Sequence, residues 1–296
     1  MWPILQSTRP RTLPLSVSSV LAGTFLARQT GCFAWELFIC LMLTAVLLQI
    51  LSNLSNELGD WKKGTDRLQP GRKALSLQSG KLTEKQLIRA IVVTLLLAAI
   101  SGLVLIYLAF GTYKGLMPVV FLGLGFLALA ASVLYSTGKK PYGYRGLGDV
   151  SVFLFFGLAG VSGSYYIYTG SPDPEIFLVA TAMGLLATAV LNVNNIRDFE
   201  NDKRFGKNTF ALVLSRVFKT ESTLPAKVYQ GILIILALAL TVIFTNLWGS
   251  GSYFFLITLP FFAIHLIWVK NNKGAGLDKA LKILIAGILV YSVSLF

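Results

Sequence analysis

Long apolar segments recur from one end of the sequence to the other. Nine can be drawn, each close to the length that a helix needs to cross the hydrocarbon core of a bilayer. They cover residues 13–28, 34–54, 87–110, 115–135, 149–168, 175–194, 228–247, 253–269 and 278–296. Because backbone groups in lipid must be paired within the protein, such segments predict helices. The sequence therefore predicts an all-α integral membrane protein of about nine transmembrane helices, forming a single domain over residues 1–296.

Composition agrees with this class and argues against a nucleic-acid partner. Hydrophobic residues make up 55% of the chain, the mean hydropathy is +0.70, and only 13% of the residues are charged. A soluble domain carries about twice that charged fraction. The net charge is +13 and the basic residues gather in loops, which favours contact with anionic lipid and anionic substrates. No recognition helix or base-stacking surface is visible.

Positive charges alternate along the predicted loops. The connections after the second, fourth and sixth segments are rich in Lys and Arg, and the intervening connections are poor in them. Arg9 and Arg11 precede the first segment, and no cleavage pattern of a signal peptide follows them. The positive-inside rule then places the N-terminus and the basic loops in the cytoplasm. We expect the protein in a bacterial cell (inner) membrane.

Two clusters of amide and carboxylate side chains follow apolar segments on the predicted cytoplasmic side. The first contains Asn53, Asn56, Glu57, Asp60 and Asp66, and the second contains Asn194, Asp198 and Asp202. Spacings of four residues predict that Asn56 and Asp60 share one helical face, and that the second cluster occupies another. An even number of spans separates the clusters, which would place them on facing helices of one bundle.

Hard oxygen donors of this kind suit Mg²⁺, which completes its coordination with water and substrate phosphate. The predicted metal ligands are Asp60, Asp66, Asp198, Asp202, Asn56 and Asn194. Basic side chains nearby could contact the same phosphates. Metal and cations together would stabilise diphosphate as a leaving group and promote ionisation of an allylic carbon. The alternative is that these charges are solvated helix caps.

The two clusters resemble a known pair of motifs. Asn56-x3-Asp60-x5-Asp66 and Asn194-x3-Asp198-x3-Asp202 look like the two aspartate-rich motifs of the UbiA superfamily of membrane prenyltransferases. Segments 9–14, 48–60, 142–149 and 194–209 resemble the menaquinone-pathway branch of that superfamily. Glu57 departs from the pattern because the superfamily commonly has Asp there, so we expect Glu57 to be a weaker ligand.

The resemblance implies a fold and a reaction. It implies a helical bundle around a central cavity, with the active site at the cytoplasmic side and Mg²⁺ as cofactor. The implied substrates are polyprenyl diphosphate and 1,4-dihydroxy-2-naphthoate, with the isoprenoid tail among apolar helices or in membrane lipid. The polyprenyl group would pass to the naphthoate with loss of CO2 and diphosphate, giving demethylmenaquinone.

Roles for individual residues follow from the motifs and their surroundings. The predicted catalytic residues are Asn56, Asp60, Asp198 and Asp202. The predicted diphosphate-binding residues are Asn194, Lys62, Lys63, Arg72, Arg145, Arg197 and Lys207. Arg9, Gln49 and Tyr135 are predicted to contact the acceptor or to line the cavity. Gln49 lies on the face of Asn56 two turns deeper in the span, where a lone glutamine favours a polar contact.

Three alternatives remain open from the sequence. Within the same class, the acceptor could be 4-hydroxybenzoate or homogentisate, or the donor a phytyl diphosphate. A cation-coupled transporter would need ionisable residues near the middle of the bilayer, whereas these carboxylates gather at one side. A CDP-alcohol phosphotransferase would need one compact acidic motif instead of two separated motifs. Both of the latter are disfavoured.

Overall fold

The computed structural model describes residues 2–65, 76–249 and 252–295. The helices are α1 Trp2–Ser7, α2 Leu13–Gln29, α3 Trp35–Lys63, α4 Glu84–Phe110, α5 Leu116–Leu134, α6 Gly148–Val152, α7 Gly163–Thr169, α8 Ile176–Arg197, α9 Phe199–Arg204, α10 Phe210–Val217, α11 Leu224–Trp248, α12 Leu259–Asn271 and α13 Leu277–Val293. A π-helical segment, Phe153–Ser162, joins α6 to α7. These ranges contain no strand, and their isolated β-bridge pairs Arg145 with Asn208. The predicted all-α class is confirmed.

Seven helical stretches in the described ranges are long and apolar enough to cross a membrane. They are α3, α4, α5, the continuous stretch from α6 to α7, α8, α11, and α12 with the 3-10 turn before it. Helices α2 and α13 coincide with the first and last predicted segments but have only 17 residues each. These helices support an integral membrane protein. The number of nine membrane-spanning helices remains a prediction.

Helix α3 runs beyond the apolar segment 34–54 and carries the first polar cluster. It stops at Gly64, whose φ of +76° is a left-handed conformation that glycine adopts without a steric penalty. Asn56 and Asp60 therefore lie one turn apart on the same helix, as predicted. Gly59 brings this part of α3 close to its neighbour, because a Cβ at this position would lie 2.3 Å from the backbone oxygen of Ser136.

The second cluster is not on one unbroken helix. Helix α8 ends at Arg197, Asp198 adopts φ −95° and ψ 8°, and α9 begins at Phe199. The amide of Asp202 still donates to the carbonyl of Asp198 at 2.8 Å, so the turn remains compact. The break redirects the chain while it keeps both aspartates on the same side.

Helix α8 is the central helix of the bundle, and most of its residues are buried. Glycine permits this close packing, because a Cβ on Gly157 of the π segment would lie 2.5 Å from the carbonyl oxygen of Ala180. The outward faces of α4, α5 and α11 are apolar and exposed, as at Ile100, Phe126 and Ile235. This arrangement leaves apolar surface for lipid on the outside and a polar opening inside.

Candidate functional site

A cavity of about 390 Å³ lies between α2–α5 on one side and the π segment and α8 on the other. This volume falls within the range of small-molecule sites. One part of the wall is polar and includes Asn56, Asp60, Asn194, Asp198, Asp202 and Lys207. Another part is apolar and includes Leu105, Ile106, Phe121, Leu124, Phe155 and Phe156. The two acidic clusters thus meet at one cavity, which can take a ligand with a charged head and an apolar tail.

Most of the predicted site residues line this cavity. They are Arg9, Gln49, Asn56, Asp60, Tyr135, Asn194, Arg197, Asp198, Asp202 and Lys207. The Gln49 side chain is held by the backbone, because its Oε1 accepts from the amide of Ser16 and its Nε2 donates to the carbonyl of Thr12.

Three predicted residues lie outside the cavity wall. Lys62 pairs with Glu84 at 2.8 Å on the surface, Lys63 lies over the ring of Tyr144, and Arg145 is exposed. Asp66 and Arg72 fall outside the described residues.

Asp60 sits between a hydroxyl and an ammonium group. Its Oδ1 accepts a hydrogen bond from the hydroxyl of Tyr144 at 2.5 Å, and the Nζ of Lys207 lies 3.5 Å away. Burial and the charge of Asp60 raise the pKa of Tyr144 well above its usual range, so the phenol keeps its proton. Burial favours the neutral amine of Lys207, but Asp60 and Asp202 raise its pKa above the usual range. Lys207 is therefore a half-buried cation on the cavity wall.

Asp198 is held by its neighbour in the sequence. The Nε and Nη2 atoms of Arg197 donate to the two oxygens of Asp198 at 2.9 and 2.8 Å, and Nη1 donates to Asp278 at 2.9 Å. A bidentate pair of this kind fixes the plane of the carboxylate. Arg197 thus orients Asp198 and ties α8 to α13.

Asp202 carries a carboxyl whose environment opposes a negative charge. Burial raises the pKa of this carboxyl to about 7; Lys207 lowers it, and the carboxylates of Asp198 and Asp60 raise it further. A bound cation would relieve this cost.

The amides of the two motifs are oriented by neighbours. The Oδ1 of Asn56 accepts from the hydroxyl of Ser136 at 2.6 Å. The Nδ2 of Asn194 donates to the carbonyl of Val190 at 3.0 Å, which leaves the amide oxygen as its donor atom for a cation in the cavity.

The donor set fits Mg²⁺ bound together with a phosphate ligand. Within the described ranges, no group of three or more His, Cys, Asp or Glu side chains is close enough to form a closed metal cage. Magnesium typically takes one or two carboxylates and completes its shell with water and phosphate oxygens. Asp60 on one wall, and Asp198 and Asp202 on the other, match that arrangement, and the raised pKa of Asp202 points the same way.

Glu57 faces a different part of the protein. Its side chain is completely buried, and its Oε1 accepts from the backbone amide of Leu77 at 2.8 Å. It is not part of the cavity wall. Glu57 therefore anchors the loop before α4, in line with its expected weakness as a ligand.

Sequence reasoning missed Tyr144 as a contact of the acidic motif. The loop between α5 and α6 folds back over α3, and the carbonyl of Tyr144 also accepts from the amide of Asn208. The side chain of Asn201 in α9 donates to the carbonyl of Thr65, just after α3, at 2.9 Å. The only sequence signal was the Tyr-Gly-Tyr-Arg segment, in which no spacing rule indicates a partner on α3.

Tyr144→Phe tests this contact. We expect kcat/KM to fall about tenfold, because Asp60 loses a hydrogen bond to a charged group worth roughly 1.5–3 kcal/mol. Steady-state kinetics with saturating Mg²⁺ measures the effect. Tyr253→Phe is the matched control, because Tyr253 is exposed and its hydroxyl donates to Asn246 away from the cavity. Equal activity of both variants would contradict a role for Tyr144.

Taken together, the fold and the site define a class. They describe a helical membrane protein whose cavity joins an acidic wall to an apolar one. A model of the UbiA prenyltransferase family matches residues 16–286. The chain belongs to the UbiA prenyltransferase family.

Named relatives and a solved structure agree with this assignment. The chain is 40% identical over 283 residues to the 1,4-dihydroxy-2-naphthoate octaprenyltransferase of Haemophilus influenzae, covering 92% of this chain and 86% of that protein. It is 41% identical over 256 residues to the protein of the same name from Escherichia coli, covering 86% and 81%. A UbiA homolog from Archaeoglobus fulgidus, solved with GPP and Mg²⁺, shares the fold with a TM-score of 0.61, 17% identity and 99% coverage of each chain.

Proposed function

We propose that this protein transfers a polyprenyl group from polyprenyl diphosphate to 1,4-dihydroxy-2-naphthoate, releasing CO2 and diphosphate and giving demethylmenaquinone in its reduced, quinol form. The observation that carries the proposal is the single cavity shared by both acidic motifs and an apolar wall, since such a cavity accommodates a prenyl diphosphate. The choice of acceptor is supported by the names of relatives that are 40% and 41% identical over most of the chain.

Magnesium would be held by the carboxylates of Asp60, Asp198 and Asp202, with the amide oxygens of Asn56 and Asn194 as further ligands. Asp66 belongs to the same proposed set by its place in the first motif. When bound, Mg²⁺ supplies positive charge that stabilises diphosphate as it departs. Arg197 holds the plane of Asp198, and Tyr144 holds one oxygen of Asp60.

Lys207 is the cation best placed to bind the diphosphate directly. It is half-buried, charged, and on the cavity wall beside Asp60. The surface residues Lys62, Lys63 and Arg145, together with Arg72, are proposed to attract the anionic substrate as it approaches. Lys62, Lys63 and Arg145 lie off the cavity wall, which makes them weaker contributors than Lys207.

The apolar wall keeps water from the reacting carbon. Phe155 and Phe156 project from the π segment into the cavity, and Phe121 lies on the opposite helix α5. Tyr135, at the end of α5, stands between this apolar wall and the acidic motifs and packs edge-on against Tyr142. We assign these rings to shielding the allylic cation, whose positive charge is stabilised by π faces.

The bonds and electrons of the prenyl transfer balance without another reactant, and its product is the reduced quinol form, which becomes demethylmenaquinone by losing two electrons and two protons to an oxidant such as O2. The carbon–oxygen bond of the allylic diphosphate breaks, and its electron pair leaves with diphosphate. The naphthoate carbon that bears the carboxylate forms the new bond to the prenyl carbon. The bond to the carboxylate then breaks, CO2 leaves, and its electron pair restores the aromatic ring.

The proposed topology is one transmembrane domain of nine spans with the N-terminus and the acidic motifs in the cytoplasm. Alternating Lys and Arg content of the loops supports it, and α2 and α13 would be the short first and last spans. Labelling single cysteines introduced at Lys114 and Lys139 with a membrane-impermeant reagent tests it. We expect labelling of intact cells only at Lys114; the reverse pattern would overturn the orientation.

An acceptor competition tests the function. The purified protein is given Mg²⁺, a polyprenyl diphosphate, and equal amounts of 1,4-dihydroxy-2-naphthoate, 4-hydroxybenzoate and homogentisate. We expect mass spectrometry to show a decarboxylated prenyl-naphthoquinone, and EDTA to abolish its formation. Prenylated hydroxybenzoate or homogentisate would overturn the acceptor. Absence of every product from a folded protein would overturn the prenyltransferase reaction and favour cation transport.

A further inference from the structure

The turn between α1 and α2 is built around an arginine in an unusual backbone conformation. Arg9 has a φ of +50°, which is rare for a residue with a side chain. Thr12 stabilises the turn, because its amide donates to the carbonyl of Arg9 at 3.0 Å and its hydroxyl donates to the same oxygen at 3.0 Å. Strain of this kind is typical of positions where the direction of the side chain matters.

Two side chains of α3 hold this turn in place. Gln49 accepts from the amide of Ser16 at 3.1 Å and donates to the carbonyl of Thr12 at 2.7 Å. Asn53 donates to the carbonyl of Thr8 at 2.8 Å and to the hydroxyl of Thr12 at 3.2 Å. Both side chains are buried. The residues on either side of Arg9 are thus fixed to the helix that carries Asp60.

Arg9 lines the cavity, and its guanidinium group has unused donors. Its Nε and Nη2 atoms are buried and have no hydrogen-bond partner among the described residues. An arginine is always charged, and a buried charge without a partner is costly. A planar anion that accepts two parallel hydrogen bonds would satisfy both atoms, and a carboxylate has that geometry.

The position of the turn separates this anion from the diphosphate. Asn53 lies seven residues before Asp60 on α3, which places the turn about 10 Å from Asp60 along the helix axis. The diphosphate belongs beside Asp60 and Lys207. The acceptor must lie beside the first carbon of the prenyl chain, which is deeper in the cavity than the diphosphate. Arg9 lies at this greater depth.

We propose that Arg9 binds the carboxylate of the aromatic acceptor, and that Gln49 and Asn53 are positioning residues that hold the Arg9 turn against the cavity. This inference rests on the proposed function for the identity of the acceptor. The site selects aromatic acids over the same ring without a carboxylate. Arg9 acts in binding, and Gln49 and Asn53 act only through the turn.

Equilibrium binding with two probes tests the site. Quenching of intrinsic tryptophan fluorescence gives Kd for 1,4-dihydroxy-2-naphthoate and for 1,4-dihydroxynaphthalene, which lacks only the carboxylate. Arg9→Asn is the main variant, because asparagine tolerates positive φ better than most residues. We expect it to raise Kd for the naphthoate at least tenfold and to leave Kd for the diol within twofold. Arg11→Gln is the matched control, because Arg11 is in the same turn but exposed and off the cavity wall.

The positioning role has its own readout. Gln49→Leu should raise KM for the naphthoate several-fold while KM for the polyprenyl diphosphate stays unchanged. Arg9→Lys should bind the naphthoate more tightly than Arg9→Asn does. An unchanged naphthoate Kd in Arg9→Asn, or equal loss for both probes, would overturn the proposal. Failure of the proposed function would instead appear as absence of turnover by the unmodified protein. The Kd values of the two probes could still be compared between the unmodified protein and Arg9→Asn.

Discussion

Replacing Asp60 with asparagine is expected to lower kcat by about 10² to 10³-fold, the size of effect seen when one preorganised electrostatic group is removed from an active site. Asparagine keeps the shape of the side chain and can still accept from Tyr144. It removes the negative charge that would bind Mg²⁺ and that faces Lys207. Initial rates over a range of Mg²⁺ concentrations measure the loss, and excess metal should not restore the rate.

Glu84→Gln is the control for this substitution. Glu84 is a carboxylate from the same end of the bundle, but it pairs with Lys62 on the surface and lies off the cavity wall. Its replacement should leave kcat within twofold, since exposed ion pairs contribute little. Activity of the Asp60→Asn protein near that of the control would remove the first motif from the metal site.

Adding one methyl group at Gly59 should have an effect of similar size. A Cβ there would lie 2.3 Å from the backbone oxygen of Ser136 and 2.6 Å from its Cβ, so α3 or the end of α5 must move. Gly59 is next to Asp60, and Ser136 donates to Asn56. A displacement of about 1 Å in a catalytic group costs roughly 100-fold in rate, and we expect Gly59→Ala to lose at least that much.

Gly123→Ala in α5 is the comparison, because a Cβ at Gly123 meets no atom within 4 Å. Both variants should be extracted in detergent and compared by thermal unfolding and by kcat. Gly59→Ala should unfold at a lower temperature and turn over slowly, whereas Gly123→Ala should match the unmodified protein. Turnover by Gly59→Ala within threefold of normal would show that α3 has room to shift.

The sequence predicted those parts of the fold that depend on local rules. Each apolar segment appears as a helix because the membrane requires it, and the four-residue spacing placed Asn56 and Asp60 on one face of α3. The apolar segment 34–54 ends nine residues before α3 does, since hydropathy falls where the polar motif starts while helical hydrogen bonding continues to Gly64. The break at Asp198 also followed no spacing signal.

Contacts between distant segments could not be predicted from the sequence. Tyr144 reaches Asp60 only because the loop between α5 and α6 folds across the end of α3. Arg197 was expected to bind phosphate, yet in the structure it donates to Asp198 and to Asp278, 81 residues further along the chain. The packing of the helices decides which basic side chain pairs with which carboxylate. Hydropathy and charge patterns in the sequence do not indicate these pairs.

The bond between Arg197 and Asp278 also bears on the order in which the protein is made. Chains emerge from the ribosome with the N-terminal part first, so α3 and α8 are synthesised and inserted before α13 exists. Until α13 packs, Arg197 has Asp198 as a partner but lacks Asp278. The link between the second acidic motif and α13 therefore forms only after α13 has been synthesised.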